Sequence, residues 1–280
     1  MKNLGYYNGK FDEIEKIFIP MSDRVCYFGD GIYDATYSRN YKIYSLNEHI
    51  DRFFNSAKLL NINIKQTKNQ LKGILYNLIN EMDTDENFVY FQATRGNAIT
   101  RNHTFINNLE ANIWINIFHK KICDVYKKVN VITMEDTRFL HCNIKTLNLI
   151  PSVIAAQKAK EKNCEETIFH RNGRVTECAH SNVHILKDGS FITAPLDNLI
   201  LPGIARKHLI TECQNLKIPV YERAYSLEEL FNADEVIISS AGQLCTGINE
   251  IDGKKIGGKS PVLLKSLQDN VYNKFIKDTN

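Results

Sequence analysis

Two helical stretches set between strand-like runs constrain the fold of this chain more than any other feature of its sequence. Ile50, Phe53, Phe54, Ala57 and Leu60 recur at the spacing of one helix face, and Leu71, Ile74, Leu75, Leu78 and Ile79 repeat the pattern. On either side the period shortens to that of strands. Leu4 to Tyr7 leads through a turn at Asn8-Gly9 into Ile14 to Pro20. Ile32 to Ser38 pairs across Arg39-Asn40 with Lys42 to Ser45, and Phe88 to Thr94 and Ala111 to Phe118 follow the helices. Asn47 is expected to cap the first helix, because its side-chain oxygen accepts an orphan amide of the first turn. Strands, two helices and strands again make an α+β unit.

Residues 119–129 are polar and basic between apolar strands, which divides the chain into an N-terminal α+β domain over 1–119, a linker over 120–130 and a C-terminal domain over 131–280. Past the linker the sequence reads as a strand (Val131 to Glu135), a helix through Val153 and Ala159, and short strands at Glu166 to His170, Val183 to Lys187 and Phe191 to Thr193. Leu201-Pro202-Gly203 opens a helix from Ile204 to Leu216. Ser226 with Glu229 makes a capping box, a strand follows at Glu235 to Ser239, and Ser260-Pro261 starts the last helix.

Charge narrows the function classes. The 35 basic and 32 acidic residues give no dominant field, which argues against nucleic acid or an anionic membrane as partner. No run approaches the roughly 20 apolar residues of a membrane span. Seven cysteines without a C-x-x-C read as reduced thiols, so the expected location is the cytoplasm. No histidine or cysteine spacing points to a metal.

The chemistry sits in two segments. Lys145 lies in Leu140-His141-Cys142-Asn143-Ile144-Lys145-Thr146-Leu147-Asn148, and Glu177 in Gly173-Arg174-Val175-Thr176-Glu177-Cys178. A lone lysine is ordinarily solvated surface and a lone glutamate an exposed strand end. Here Ile144, Leu147, Leu149 and Ile150 are expected to bury the amine, which favours its neutral, nucleophilic form. An amine to hold an aldehyde and a carboxylate to hold a ring nitrogen are the two ends of a pyridoxal 5'-phosphate site, and imply an enzyme acting on amino acids. The phosphate needs cations and convergent amides. Ile204 and Ala205 at a helix start, the small turn Ser240-Ala241-Gly242 and Arg52 are the candidates.

These segments resemble the fold-type IV pyridoxal phosphate enzymes, the class IV aminotransferases. The likeness is carried by Asn47-Glu48-His49-Ile50-Asp51-Arg52, Ile144-Lys145-Thr146-Leu147-Asn148, Val175-Thr176-Glu177 and Leu201-Pro202-Gly203-Ile204, and it runs from Asp23-Arg24 to Asp252-Gly253. The resemblance implies a two-domain α+β architecture: a smaller N-terminal domain, a larger C-terminal domain with a barrel-like sheet, and the cofactor between them. It also implies Lys145 as Schiff-base lysine and proton shuttle, Glu177 at the ring nitrogen, Arg52 at the phosphate and Leu201 against the ring face. Ile204, Ala205, Ser240 and Ala241 would complete the phosphate site.

The loop Thr94 to His103 is similar to the carboxylate-binding loop of the D-amino-acid-specific members. By that resemblance Arg101, His103 and Tyr33 fix the substrate carboxylate, and the loop is shared across a homodimer interface. D-specific members carry hydroxyl residues at the positions of Ala205 and Ala241 and serines around Ala179 and His180, so two side-chain contacts to phosphate are absent here. The expected reaction is transamination between a D-amino acid, D-alanine, and a 2-oxo acid, 2-oxoglutarate. The alternatives are branched-chain L-amino-acid transamination, aminodeoxychorismate cleavage and, lowest, a non-catalytic cofactor carrier.

Overall fold

The computed structural model describes residues 2–280, which divide into two units: the chain through residue 121 with 144–148 and 276–280, and residues 122–143 with 149–275. The division is not serial, because the lysine segment 144–148 belongs to the first unit.

The first unit comprises β1 (Leu4–Tyr7), β2 (Lys10–Glu13), the short α1 (Val25–Phe28), β3 (Gly31–Arg39), β4 (Lys42–Ile43), α2 (Leu46–Leu59), α3 (Lys68–Asn80), β5 (Asn87–Thr94) and β6 (Asn112–His119). Its antiparallel sheet has the order β2-β1-β6-β5-β3-β4. The Asn8-Gly9 turn forms as expected, with both residues at positive φ and Tyr7 opposite Lys10. The returning strand is Lys10–Glu13, however, and not Ile14 to Pro20. All four of its residues are exposed, so backbone pairing alone makes it a strand. The apolar faces of α2 and α3 bury Ile50, Phe53, Ala57, Leu71, Leu75, Leu78 and Ile79 with Val89, Phe91, Ile113 and Ile115 of the sheet. Each such large side chain contributes about 1.5–3 kcal/mol. Helix α2 begins at Leu46, and its cap is Ser45 in the left-handed region, which makes no side-chain cap bond; Asn47 is already inside the helix. Thr67 and Gln70 form a capping box at α3.

The second unit comprises β7 (Val129–Glu135), α4 (Ile150–Glu161), β8 (Glu166–Arg171), β9 (Arg174–Cys178), β10 (Asn182–Lys187), β11 (Ser190–Thr193), α5 (Ile204–Asn215), β12 (Val220–Glu222), α6 (Leu227–Phe231), β13 (Glu235–Ser239), β14 (Thr246–Ile251), β15 (Lys254–Lys255) and α7 (Pro261–Asp278), the last of which runs on into the first unit's final segment. The sheet runs β12-β11-β10-β13-β14-β7-β8-β9 with β15 on β14, and it curls so that β9 returns alongside β10. It mixes directions: β7–β8, β7–β14 and β11–β12 are parallel. Parallel neighbours require a crossover, and α4 and α5 supply two of them, after β7 and after β11. Val131, Ile168, Val175, Val183, Ile185, Val236, Ile238 and Ile248 form the core of the curled sheet. The Ser226–Glu229 capping box forms as expected.

Candidate active site

In the first unit, residues 144–148 lie beside β3 as a strand-like addition. Tyr33 N donates to Lys145 O at 3.0 Å, Leu147 N donates to Gly31 O at 3.1 Å, and Thr146 bridges Ile32. So close an approach requires glycine at 31, where a Cβ would sit 2.7 Å from both Ala93 O and Leu147 Cδ1. Lys145 N donates to Ser56 Oγ of α2 at 3.3 Å. Its Nζ stands 4.3 Å from the centre of the Tyr33 ring, which stacks on Tyr90. Lys145 is half-buried by residues distant in sequence; of the apolar neighbours expected to enclose it, Leu149 and Ile150 are exposed.

Arg52 projects from α2, and Asp34 of β3 fixes its direction. The Arg52 Nε and Nη2 donate to the two Asp34 oxygens at 2.8 and 2.7 Å, and His49 Nδ1 lies 2.7 Å from the same carboxylate. Burial pushes the Asp34 carboxyl up, but the Arg52 charge and His49 outweigh it and hold Asp34 well below the usual carboxylate range. Burial also depresses the His49 imidazole, with Asp34 opposing. Arg101 and His103 stand apart from this group. Both are exposed and lie against Phe28, the Arg101 Cζ 4.9 Å from its ring centre and the His103 ring 5.1 Å away. Among the described residues, no hydrogen bond or ring contact joins either to Tyr33 or Lys145.

In the second unit Glu177 is the penultimate residue of β9 and only 6% exposed, unlike the exposed strand end that a lone glutamate ordinarily is. Arg138 Nη1 donates to Oε1 at 2.5 Å, while Asn182 Nδ2 and Leu201 N each donate to Oε2 at 3.0 Å. Arg138 is held in turn by Asp136, through Nε at 2.9 Å and Nη2 at 2.8 Å, and packs on the Phe169 ring. Burial alone would lower the Arg138 guanidinium; Asp136 and Glu177 raise it well above its ordinary value. Burial likewise pushes Asp136 up, and Arg138 and Arg171 hold it below the usual range. Arg138 was not singled out in the sequence, because Glu177 lies 39 residues further along the chain, and Asp136, which holds Arg138, was missed with it. Asn182, only five residues from Glu177, was missed although it is close in sequence.

Leu201, whose amide binds Glu177, is two residues before Gly203, the N-cap of α5. A Cβ on Gly203 would lie 1.9 Å from Asn182 Oδ1, so glycine there lets the helix start pack directly on a Glu177 ligand. The amides of Ile204 and Ala205 open α5 and have no acceptor among the described residues. Open amides at the positive end of a helix are suited to an anion. Ser240 and Ala241 are half-buried in a tight turn in which Gln243 N and Leu244 N donate to Ser240 O at 3.3 and 2.9 Å. His180 turns its Nδ1 to Glu166 at 2.9 Å. Cys142 and Cys178, which flank Lys145 and Glu177 in sequence, are buried, and burial pushes the first thiol up to about 11 and the second well above its ordinary value. Both are held as unreactive thiols.

In one unit a buried carboxylate with three donors and a helix start with open amides, and in the other a lysine against a tyrosine ring, are each the kind of group that a phosphorylated pyridine aldehyde requires. The amino-transferase class IV family matches residues 31–251. The chain is 36% identical over 277 residues to the D-alanine aminotransferase of Staphylococcus haemolyticus, covering 97% of each. It is 34% identical over 276 residues to the one from Bacillus licheniformis, covering 98% of this chain and 97% of that one. The chain belongs to the class IV aminotransferases. Its fold matches solved members: the Escherichia coli branched-chain amino acid aminotransferase has a TM-score of 0.89 at 20% identity, covering 100% of this chain and 96% of that one. The T.th. branched-chain enzyme with pyridoxamine 5'-phosphate has a TM-score of 0.90 at 21% identity, covering 99% and 95%. This class IV aminotransferase uses pyridoxal 5'-phosphate, and its own residues fit that cofactor.

Proposed function

We propose that this aminotransferase moves the amino group of a D-amino acid, D-alanine, to a 2-oxo acid, 2-oxoglutarate. The observation that carries the reading is the likeness to D-alanine aminotransferases along almost the whole of both chains, at 36% identity. Lys145 is the lysine that tethers the cofactor. Glu177 faces the ring nitrogen, Leu201 the ring face, and Arg52 with the amides of Ile204 and Ala205 and the Ser240-Ala241 turn holds the phosphate. Bound pyridoxal phosphate supplies an electron-withdrawing ring that makes the α-hydrogen of an attached amine acidic.

The residues then divide the work. Lys145 Nζ takes the α-proton of the substrate and holds it for return. The Arg138, Asn182 and Leu201 donors keep the Glu177 carboxylate aimed in one direction, so no reorganisation is needed as charge develops. Asp34 does the same for the Arg52 guanidinium. Tyr33, Arg101 and His103 bind the substrate carboxylate, and its position decides which face of the α-carbon meets Nζ.

Arg101 and His103 act in a second copy of the chain, as a homodimer. Their lack of contact with Lys145 in their own chain supports this, as do Phe18, Met21, Ile99 and Ile106, which are all 76% exposed or more. Free cysteines throughout support a cytoplasmic location.

A donor panel of both enantiomers, followed by keto-product formation, tests the reading. D-alanine with 2-oxoglutarate is expected to give pyruvate with ping-pong kinetics, and Lys145→Ala to give none. Consumption of L-leucine with no pyruvate from D-alanine would replace the reading by the branched-chain one.

A further inference from the structure

Arg24 is 3% exposed and its guanidinium underlies the loop that carries Arg101 and His103. Its Nη1 donates to Asn102 O at 2.8 Å and Thr104 O at 3.2 Å, and its Nη2 donates to His103 O at 3.3 Å. The remaining edge is anchored: Nε donates to Asp30 at 2.8 Å. Asp30 is shared with Arg95, whose Nε lies 2.9 Å from the same oxygen and whose Cζ sits 3.8 Å over the Phe105 ring. Phe28 closes the other side, 4.9 Å from Arg24 Cζ and 4.9 Å from Arg101 Cζ. Asp23 fixes the backbone below: it accepts from Val25 N, Thr94 Oγ1 and Asn112 Nδ2, and Arg24 N donates to Gly96 O. The loop is therefore held at each step from Arg101 to Phe105.

Two buried guanidiniums share the Asp30 carboxylate, which leaves the far edge of the Arg24 fork with a need for other acceptors. The carbonyl oxygens of 102, 103 and 104 are the groups that answer it. The charge holds the loop because the loop solvates the charge, and only a planar fork reaches three carbonyls and an acid together. We infer that Arg24 is a positioning residue for the substrate carboxylate, setting through these carbonyls the pose of Arg101 and His103. The inference rests on the reading of those two residues as carboxylate ligands.

The test is steady-state kinetics of the holoenzyme as wild type, Arg24→Lys, Asp30→Asn and Arg101→Ala. Arg24→Lys keeps the charge but loses the fork, so KM for D-alanine is expected to rise about tenfold or more, with kcat within about threefold and bound-cofactor absorbance unchanged. Asp30→Asn leaves Arg24 in place but releases its anchor, and should raise KM in the same direction by a smaller factor. It serves as the reporter if Arg24→Lys does not fold. Unchanged KM in both variants, or equal loss of kcat and of bound cofactor, overturns the inference. Arg101→Ala separates the two readings: if it raises KM while Arg24→Lys is normal, only this inference falls, and if it leaves KM unchanged, the substrate-loop reading falls with it.

Discussion

Replacing Arg138 by methionine isolates the group that the site depends on most and that touches no substrate in the proposed reaction. The side chain is 9% exposed and lies between Asp136, at 0%, and Glu177, at 8%. Removing it leaves two buried carboxylates short of a cation. Asp136 keeps Arg171 at 3.3 Å and Thr176 Oγ1 at 3.0 Å, and Glu177 keeps Asn182 and the Leu201 amide. Breaking a buried pair by deleting one partner costs about 3–5 kcal/mol. For a unit of this size that is a fall in the melting midpoint of roughly 6–20 °C at pH 7.

The pH dependence has a definite sign. Asp136 is held below the usual carboxylate range, so its stabilising contribution is present above the ordinary carboxylate value and is lost as pH falls through the folded one. Without Arg138 the contribution is missing at neutral pH. The gap between wild type and variant should therefore begin to narrow as pH drops below about 4 and close once pH has fallen through the lower folded value of Asp136, where that carboxyl is protonated in both. Thermal unfolding of the holoenzyme across pH, with D-alanine kinetics at pH 7, reads both effects. Glu177 with one donor fewer should also lower kcat about tenfold or more. A loss of under about 1 kcal/mol, or a gap that widens in acid, refutes the electrostatic argument. Full kcat in a destabilised variant refutes the catalytic one.

Gly203→Ala forces a methyl carbon to 1.9 Å from Asn182 Oδ1; pyridoxal phosphate titrated into the apoenzyme should bind at least about tenfold more weakly, with lower stability in thermal unfolding. Ala205→Thr places a hydroxyl beside the open amides of α5. One hydrogen bond to a charged group is worth about 1.5–3 kcal/mol, so the same titration should show cofactor affinity rising by about tenfold or more. Mixing Lys145→Ala with Arg101→Ala subunits under exchange should restore activity that neither parent has, because one hybrid site takes its lysine from one copy and its loop from the other. Persistent inactivity of a mixture shown to contain hybrids would place the loop in its own chain's site.

What the sequence disclosed of the fold follows from where each side chain goes. Helices α2 and α3 were legible because their apolar residues repeat at helical spacing and are all needed on one buried face. The Asn8-Gly9 hairpin was half legible: the turn has a chemical signature, but β2 buries none of its residues and so carries no pattern. The start of α2 misled for a related reason. Asn47 has the right side chain for a cap, yet Ser45 takes the position with its backbone alone and leaves no side-chain mark. The capping box at Thr67 and Gln70 was present to be read, as was the one at Ser226 and Glu229.

The site divides along the same line. Lys145 and Glu177 could be found because each is the residue type its chemistry demands, whatever surrounds it. The surroundings could not be found, because they come from elsewhere in the chain. The burial of Lys145 was expected from Leu149 and Ile150, which are exposed, whereas Tyr33 and Ser56 stand against it. Arg138 meets Glu177 across 39 residues, and Arg24 meets His103 across 79. In both places an arginine fork holds an element that the reading assigns to cofactor or substrate, and the arginine is itself held by an acid close to it in sequence, Asp136 or Asp30. The acid and arginine are set by local spacing, and what the fork then grips is set by the fold. A sequence reader sees the first step as an ordinary ion pair, and only the packed chain shows that its free edge is aimed at the chemistry.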